Sequence, residues 1–182
     1  MNRALLNIDY TFDFVDNSGK LTCGEPGQII EANISEITKQ FLAENNFVVF
    51  AVDLHKEKDI FHPEHRLFPP HNIEGSRGRC LYGDLQSLYE KHKRSSSVYW
   101  LDKTRYSAFA GTNLELILRE RNVNELHLIG VCTDICVLHT AVDAYNKGFK
   151  IVIHKDAVAS FNDIGHKWAL EHFKKTLGAE IV

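Results

Sequence analysis

The stretch "ELHLIGVCTDICVLHTAVDAYNKG", residues 125–148, changes its periodicity halfway along. "ELHLIGV" (125–131) is apolar on both faces of an extended chain, whereas "CVLHTAVDAYNKG" (136–148) repeats apolar residues at spacings of three and four and stops at a glycine. The first half predicts a buried strand of the kind found in parallel sheets, and the second an amphipathic helix. Between them lies "CTDIC" (132–136), where a strand ends and a helix begins. Two cysteines and an aspartate there admit four readings: a disulfide, a metal site, a redox pair or a nucleophile.

The same alternation recurs on either side. "ALLNID" (4–9), "NFVVFAVD" (46–53), "SVYWLD" (97–102), "KIVIHKDAV" (150–158) and the terminal "AEIV" read as strands, while "QIIEANISEITKQFLAEN" (28–45), "NLELILRERN" (113–122) and "GHKWALEHFKKTLG" (165–178) read as helices. This order predicts an α/β fold: a three-layer α/β/α sandwich around a mostly parallel, roughly six-stranded sheet with right-handed crossovers, in a single domain over residues 1–182.

With 44% hydrophobic residues, 25% charged residues and a net charge of -3, the chain has the make-up of a globular enzyme-sized domain. It has no global basic field for phosphate backbones or anionic lipid, so neither nucleic acid nor membrane is expected as a partner. No segment reaches membrane-spanning length, and "MNRALLNIDY" runs straight into a strand pattern, so a cytoplasmic location is expected. In that compartment Cys23, Cys80, Cys132 and Cys136 would stay reduced, which weakens the disulfide reading.

One segment, "DLHKEKDIFHPEHRLFPPHNIEGSRGRC" (53–80), has no helix or strand period and carries three of the four prolines. A loop this long is functional or disordered. Its concentration of His55, His62, His65 and His71 with Asp53 and Glu64 favours metal binding over a chance run of surface histidines.

In open α/β sheets, ligands bind beyond the carboxyl ends of the strands, so the residues just after each apolar run carry the most information. Asp9, Asp53 with His55, Lys103, and the "CTDIC" turn stand at the ends of four consecutive predicted strands. Each alone has a bland account: a turn cap, a snorkelling lysine, a small core thiol. Together on one edge they suggest a site. Thr133 is a candidate N-cap that would place Cys136 in the first helical turn, where backbone N–H groups and the helix dipole favour a thiolate. A neighbouring Lys103 would lower the thiol pKa further, and Asp9 would move its proton.

The set "NIDYTFDF" (7–14), "VDLH" (52–55), "PPH" (69–71), "DKTRYSAF" (102–109) and "GVCTDICV" (130–137) resembles the nicotinamidase (pyrazinamidase) branch of the isochorismatase-like cysteine hydrolases, over nearly the whole chain. The resemblance implies the isochorismatase-like hydrolase fold and an Asp9–Lys103–Cys136 triad. It also implies an oxyanion hole from the backbone N–H groups of Cys132 and Cys136, with a cis bond between Val131 and Cys132. A divalent metal would sit on Asp53, His55 and His71, with zinc the first expectation and iron or manganese the alternatives. The fourth ligand varies among relatives; Glu64 is favoured as a carboxylate in a mixed N/O site, with His62 second. Phe14, Phe68 and Tyr106 would line a slot for a flat ring, or be ordinary core. The implied reaction is hydrolysis of nicotinamide, and of pyrazinamide, as a step of NAD salvage, in a homo-oligomer.

Two alternatives stay open on the sequence. A sister amidase would share the triad without needing a metal. A redox or metal-buffering thiol protein would use Cys132, Cys136 and the histidines, leaving Asp9 and Lys103 without a role.

Overall fold

The computed structural model describes residues 2–182. Six apolar runs form strands: β1 (Arg3–Ile8), β2 (Phe47–Asp53), β3 (Val98–Lys103), β4 (Glu125–Val131), β5 (Lys150–Ala159) and β6 (Glu180–Ile181). They make one sheet in the order β3-β2-β1-β4-β5-β6, and every pairing is parallel. The expectation of a mostly parallel sheet thus falls on the fully parallel side, because every strand-to-strand connection carries a crossover.

The helices are α1 (Phe12–Val15), α2 (Glu25–Ile29), α3 (Glu31–Ala43), α4 (Asp84–His92), α5 (Leu114–Glu120), α6 (Leu138–Asn146) and α7 (Asp163–Lys175). The sheet is covered on both faces, and the alternation of side chains along each strand assigns them. Leu6, Ile8, Val49, Ala51 and Leu128 pack with Leu118, Ala141, Ala144 and Phe173 of α5, α6 and α7. Leu5, Val48, Phe50, Val52 and Ile129 pack with Ile34, Phe41 and Leu85 of α3 and α4. Truncating a fully buried aromatic such as Phe50 would cost about 3–5 kcal/mol, since neighbouring layers can only partly close the cavity.

Three details depart from the sequence reading. The helix expected over 28–45 is two helices, α2 and α3, broken at Ile30, with Pro26 in the first turn of α2 where its missing N–H costs nothing. Helix α4 was not anticipated, because only Leu85 of its residues is buried and its apolar stripe is thin. The short α1 likewise lacks the length for a periodic signal.

Candidate active site and metal centre

Parallel strands deliver their carboxyl ends to one edge, and four of them bring chemistry there. β1 ends before Asp9, whose backbone N–H donates to the Ala51 carbonyl of β2 and whose Oδ1 accepts the Asp53 N–H at 2.8 Å. Asp53 and Lys103 are register partners across β2 and β3. β4 can lie this close to β1 because position 130 is glycine: at φ +118 an added Cβ would stand 2.0 Å from the Ile8 carbonyl oxygen. The Val131–Cys132 bond that follows is cis.

The cysteine turn differs from expectation in one respect. Thr133–Val137 is a single π-helical turn ahead of α6, and Cys132, not Thr133, occupies the cap position. The Thr133 hydroxyl is instead engaged with His166 Nδ1 at 2.8 Å, because α7 packs against this turn. Cys136 is still carried into the first turn, and it is buried at 5% exposure.

Asp9, Lys103 and Cys136 meet in the interior. Lys103 Nζ lies 2.6 Å from Asp9 Oδ2 and 3.7 Å from Cys136 Sγ, and it also pairs with Asp53 Oδ1. The Asp9 Oδ2 contact is an ion pair without an aligned hydrogen bond, which leaves that oxygen open to another donor. Burial, reinforced by the Asp53 charge, raises the Asp9 carboxyl to about 6 against the pull of Lys103. Burial alone would drive Lys103 down, yet the charges of Asp53 and Asp9 outweigh it and hold the ammonium protonated well above its ordinary range. Burial pushes the Cys136 thiol well up; Lys103 opposes this, but the two carboxylates add to it. The sequence reading, in which Lys103 and the helix end depress the thiol, is corrected here: the lysine acts in that direction and is outweighed. Cys136 therefore rests as a thiol, with an Asp9 carboxylate oxygen within 4.8 Å of its sulfur as the nearby proton acceptor.

A second constellation adjoins the first. One ligand atom from each of Asp53, His55, Glu64 and His71 lies within 4.8 Å of the others, and all four residues are buried. Asp53 Oδ2, His55 Nε2 and His71 Nε2 are buried polar atoms with no hydrogen-bond partner. Glu64 Oε2 is 3.6 Å from His71 Nε2. Three orphaned polar atoms, led by a carboxylate oxygen and an imidazole lone pair, converge with a second carboxylate and carry a large desolvation cost unless a cation satisfies them, so the residues fit a divalent metal. The His71 tautomer suits this: Nδ1 bonds the Pro69 carbonyl at 2.8 Å, which leaves Nε2 with its lone pair toward the group. His62 is excluded from the quartet by its own bonds, since Nε2 meets the Thr104 carbonyl at 2.8 Å and Nδ1 accepts the Glu64 N–H. His65 is exposed and stands apart.

Phe14, Phe68 and Tyr106 line a cavity of about 20 Å³ with Asp53, Glu64 and Cys136 in its wall. The slot thus touches the thiol and the metal quartet at once. Phe14 serves the core as well, at 7% exposure. A larger cavity of about 620 Å³ reaches the quartet through His55, Glu64 and His71 but does not touch Cys136. Cys132 also lines the small slot, and Leu21, Ile135 and Phe161, which were missed on the sequence, complete its wall. Phe161 lies two residues past the end of β5, so the strand-end rule could have found it.

All four cysteines are free thiols. Among the described residues, no helix is long and apolar enough to cross a membrane.

Residues 3–182 match the isochorismatase domain family. The nicotinamidase/pyrazinamidase PncA of Bacillus subtilis superposes with a TM-score of 0.99 at 63% identity, covering 100% of both chains. The pyrazinamidase/nicotinamidase of Streptococcus mutans UA159 gives 0.98 at 50% identity, again over 100% of both. A zinc complex of the Pyrococcus horikoshii pyrazinamidase gives 0.86 at 29% identity, over 100% of this chain and 99% of that one.

Proposed function

The chain belongs to the isochorismatase family, and on that premise we propose that it hydrolyses nicotinamide to nicotinate and ammonia through a Cys136 thioester, with a divalent metal beside the substrate ring. The amide-hydrolase class is that of its close structural relatives, which are nicotinamidases and pyrazinamidases. The observation that carries the finer reading is the shared wall of the slot, to which Cys136 and two residues of the candidate metal quartet, Asp53 and Glu64, all contribute. A carboxamide on a ring with a nitrogen can present one end to each.

Asp9, ionised in part near neutrality, takes the thiol proton as sulfur attacks the amide carbon. The backbone N–H groups of Cys132 and Cys136 receive the developing oxyanion. As the C–N bond breaks, Asp9 returns the proton to the leaving nitrogen, and ammonia departs. Water then adds to the thioester carbonyl, giving its proton to Asp9, and collapse releases nicotinate and restores the thiol. Throughout, the Lys103 ammonium offsets the charge of the two carboxylates and of any sulfur anion at 3.7 Å. Asp53, His55, Glu64 and His71 would hold the metal, for which zinc is the first choice, and when bound it supplies a Lewis-acidic partner for the ring nitrogen. Pyrazinamide, which keeps a ring nitrogen in the same relation to its carboxamide, should be a second substrate. Nicotinate release would place the enzyme in NAD salvage.

Ammonia release from nicotinamide by the purified, zinc-loaded protein tests the reading. Stoichiometric conversion to nicotinate supports it, and absence of turnover with zinc bound and Cys136 reduced overturns it.

A further inference from the structure

Asp13 is a buried carboxylate that the reaction does not use. It is 5% exposed, and among the described residues no lysine, arginine or histidine pairs with it. Burying an unpaired charge is costly, so its position needs another account. Its two oxygens each take a main-chain N–H from a different segment: Oδ2 accepts from Asn72 at 2.8 Å and Oδ1 from Lys20 at 3.2 Å. A third segment closes over it at Gly78, where an added Cβ would stand 2.0 Å from Oδ2.

Asn72 directly follows His71 and is fully buried at φ +44. Its carbonyl accepts the His55 N–H at 3.1 Å, and its side-chain oxygen accepts the Thr11 hydroxyl at 3.0 Å. The Asn72 peptide therefore ties two of the quartet's histidines together, and Asp13 and Thr11 fix that peptide to the chain just beyond β1. The histidine rings themselves are 4.4 Å apart between centroids, so a small shift of either main chain changes how both present Nε2.

We infer that Asp13 is a positioning residue for the metal centre: its carboxylate, through the Asn72 N–H, sets His71 and His55 in place before the cation arrives. The inference rests on the proposed metal reading and deepens it. An aspartate is required because an asparagine offers one acceptor oxygen, and its NH2 would face either the Lys20 or the Asn72 N–H.

The test is zinc affinity by competition with a chromophoric chelator, on Asp13→Asn, Thr11→Val and Asp53→Ala, beside the Tm of each metal-free protein and kcat at saturating zinc. Asp13→Asn is expected to weaken zinc by roughly ten- to a hundredfold, with kcat near wild type once zinc is saturating. Thr11→Val, which removes one bond to Asn72 with little change of shape, should weaken zinc severalfold. A lower metal-free Tm with an unchanged zinc Kd in Asp13→Asn would make the residue merely structural and overturn the inference. Should Asp13→Asn fail to fold, Thr11→Val decides, and an unchanged Kd there is the contrary result. Asp53→Ala separates the two levels: if wild type binds zinc no better than Asp53→Ala, the metal reading itself fails. If wild type binds tightly and Asp53→Ala does not, an unaltered Asp13→Asn defeats the positioning role alone.

Discussion

Asp53 and Lys103 end neighbouring strands in register and form a fully buried ion pair, in which Asp53 Oδ1 takes the ammonium and Oδ2 faces the metal quartet without a hydrogen-bond partner. One carboxylate thus belongs to both constellations. Burial works to raise its pKa, but the Lys103 ammonium, helped by the neighbouring His55, dominates and brings it down to about 2, so it stays ionised for either role.

Asp53→Asn and His71→Ala should therefore differ. Both remove a ligand and should lower bound zinc, but only Asp53→Asn also removes a negative charge that raises the Cys136 thiol. In metal-free protein, Asp53→Asn should react faster with iodoacetamide at Cys136 than wild type, and His71→Ala at close to the wild-type rate. Equal rates in the two variants would uncouple the metal quartet from the triad.

The pH profile follows from Asp9. Its carboxyl must be ionised to take the thiol proton, and it titrates near 6 with burial as the main cause and the Asp53 charge as the second. A cation on Asp53 offsets that second cause, so the loaded enzyme should show kcat/KM falling as pH drops below a midpoint at or under about 6. This is an acid limb, with the plateau above it. Activity that holds level or rises down to pH 4, with the fold intact, would remove Asp9 from the role of base.

The two cysteines of "CTDIC" should separate cleanly. Cys136→Ala should cost roughly 10⁴–10⁶ in kcat, as removal of other covalent nucleophiles does, while zinc content is kept. Cys132→Ala should retain substantial activity, because only its backbone N–H is assigned a part. Complete loss in Cys132→Ala with native Tm would revive the redox-pair reading.

Much of this was legible because a parallel sheet sends every strand's end to one edge. Asp9, Asp53, Lys103 and the cysteine turn could be grouped from the chain alone, and so could a histidine loop over 53–80. What could not be read was how close the groups come. Burial and two carboxylates raise Cys136 where a lysine neighbour alone suggested the reverse, and that balance depends on distances no spacing encodes. Glu64 was favoured over His62 for its carboxylate, but the contact that holds His62 away from the quartet, with the Thr104 carbonyl 42 residues further along, belongs to the fold. Thr133 looked like a cap locally and is bound to His166 of α7 instead. Nothing in the spacing of Asp13 links it to Asn72, 59 residues further along.

Far from the site, His127 Nδ1 and His154 Nε2 are 2.9 Å apart, and His127 Nε2 meets Glu125. Burial, then the charge of His127, lowers His154 to about 4. The folded pKa lies below the unfolded one, so protons favour the unfolded chain: stability is full above about 6.5 and is lost as pH falls toward 4. His154→Gln should flatten that decline by about 1–2 kcal/mol, discounted for partial exposure. The measurement is Tm or urea midpoint of wild type and variant between pH 7 and 4. Parallel curves would contradict it.

The central claim is that thiol and metal read the two ends of one substrate. Benzamide has nearly the shape of nicotinamide but lacks the ring nitrogen. A site that holds a polar partner for that atom can reject the analogue by roughly four orders of magnitude, whereas an apolar slot discriminates far less. The decisive measurement is kcat/KM for nicotinamide and benzamide with the zinc-loaded enzyme, repeated after chelation. The account predicts a large ratio that collapses on chelation, chiefly through loss of nicotinamide turnover. Near-equal values for the two amides in the loaded enzyme would contradict it and leave Asp9, Lys103 and Cys136 to an amidase that does not read the ring.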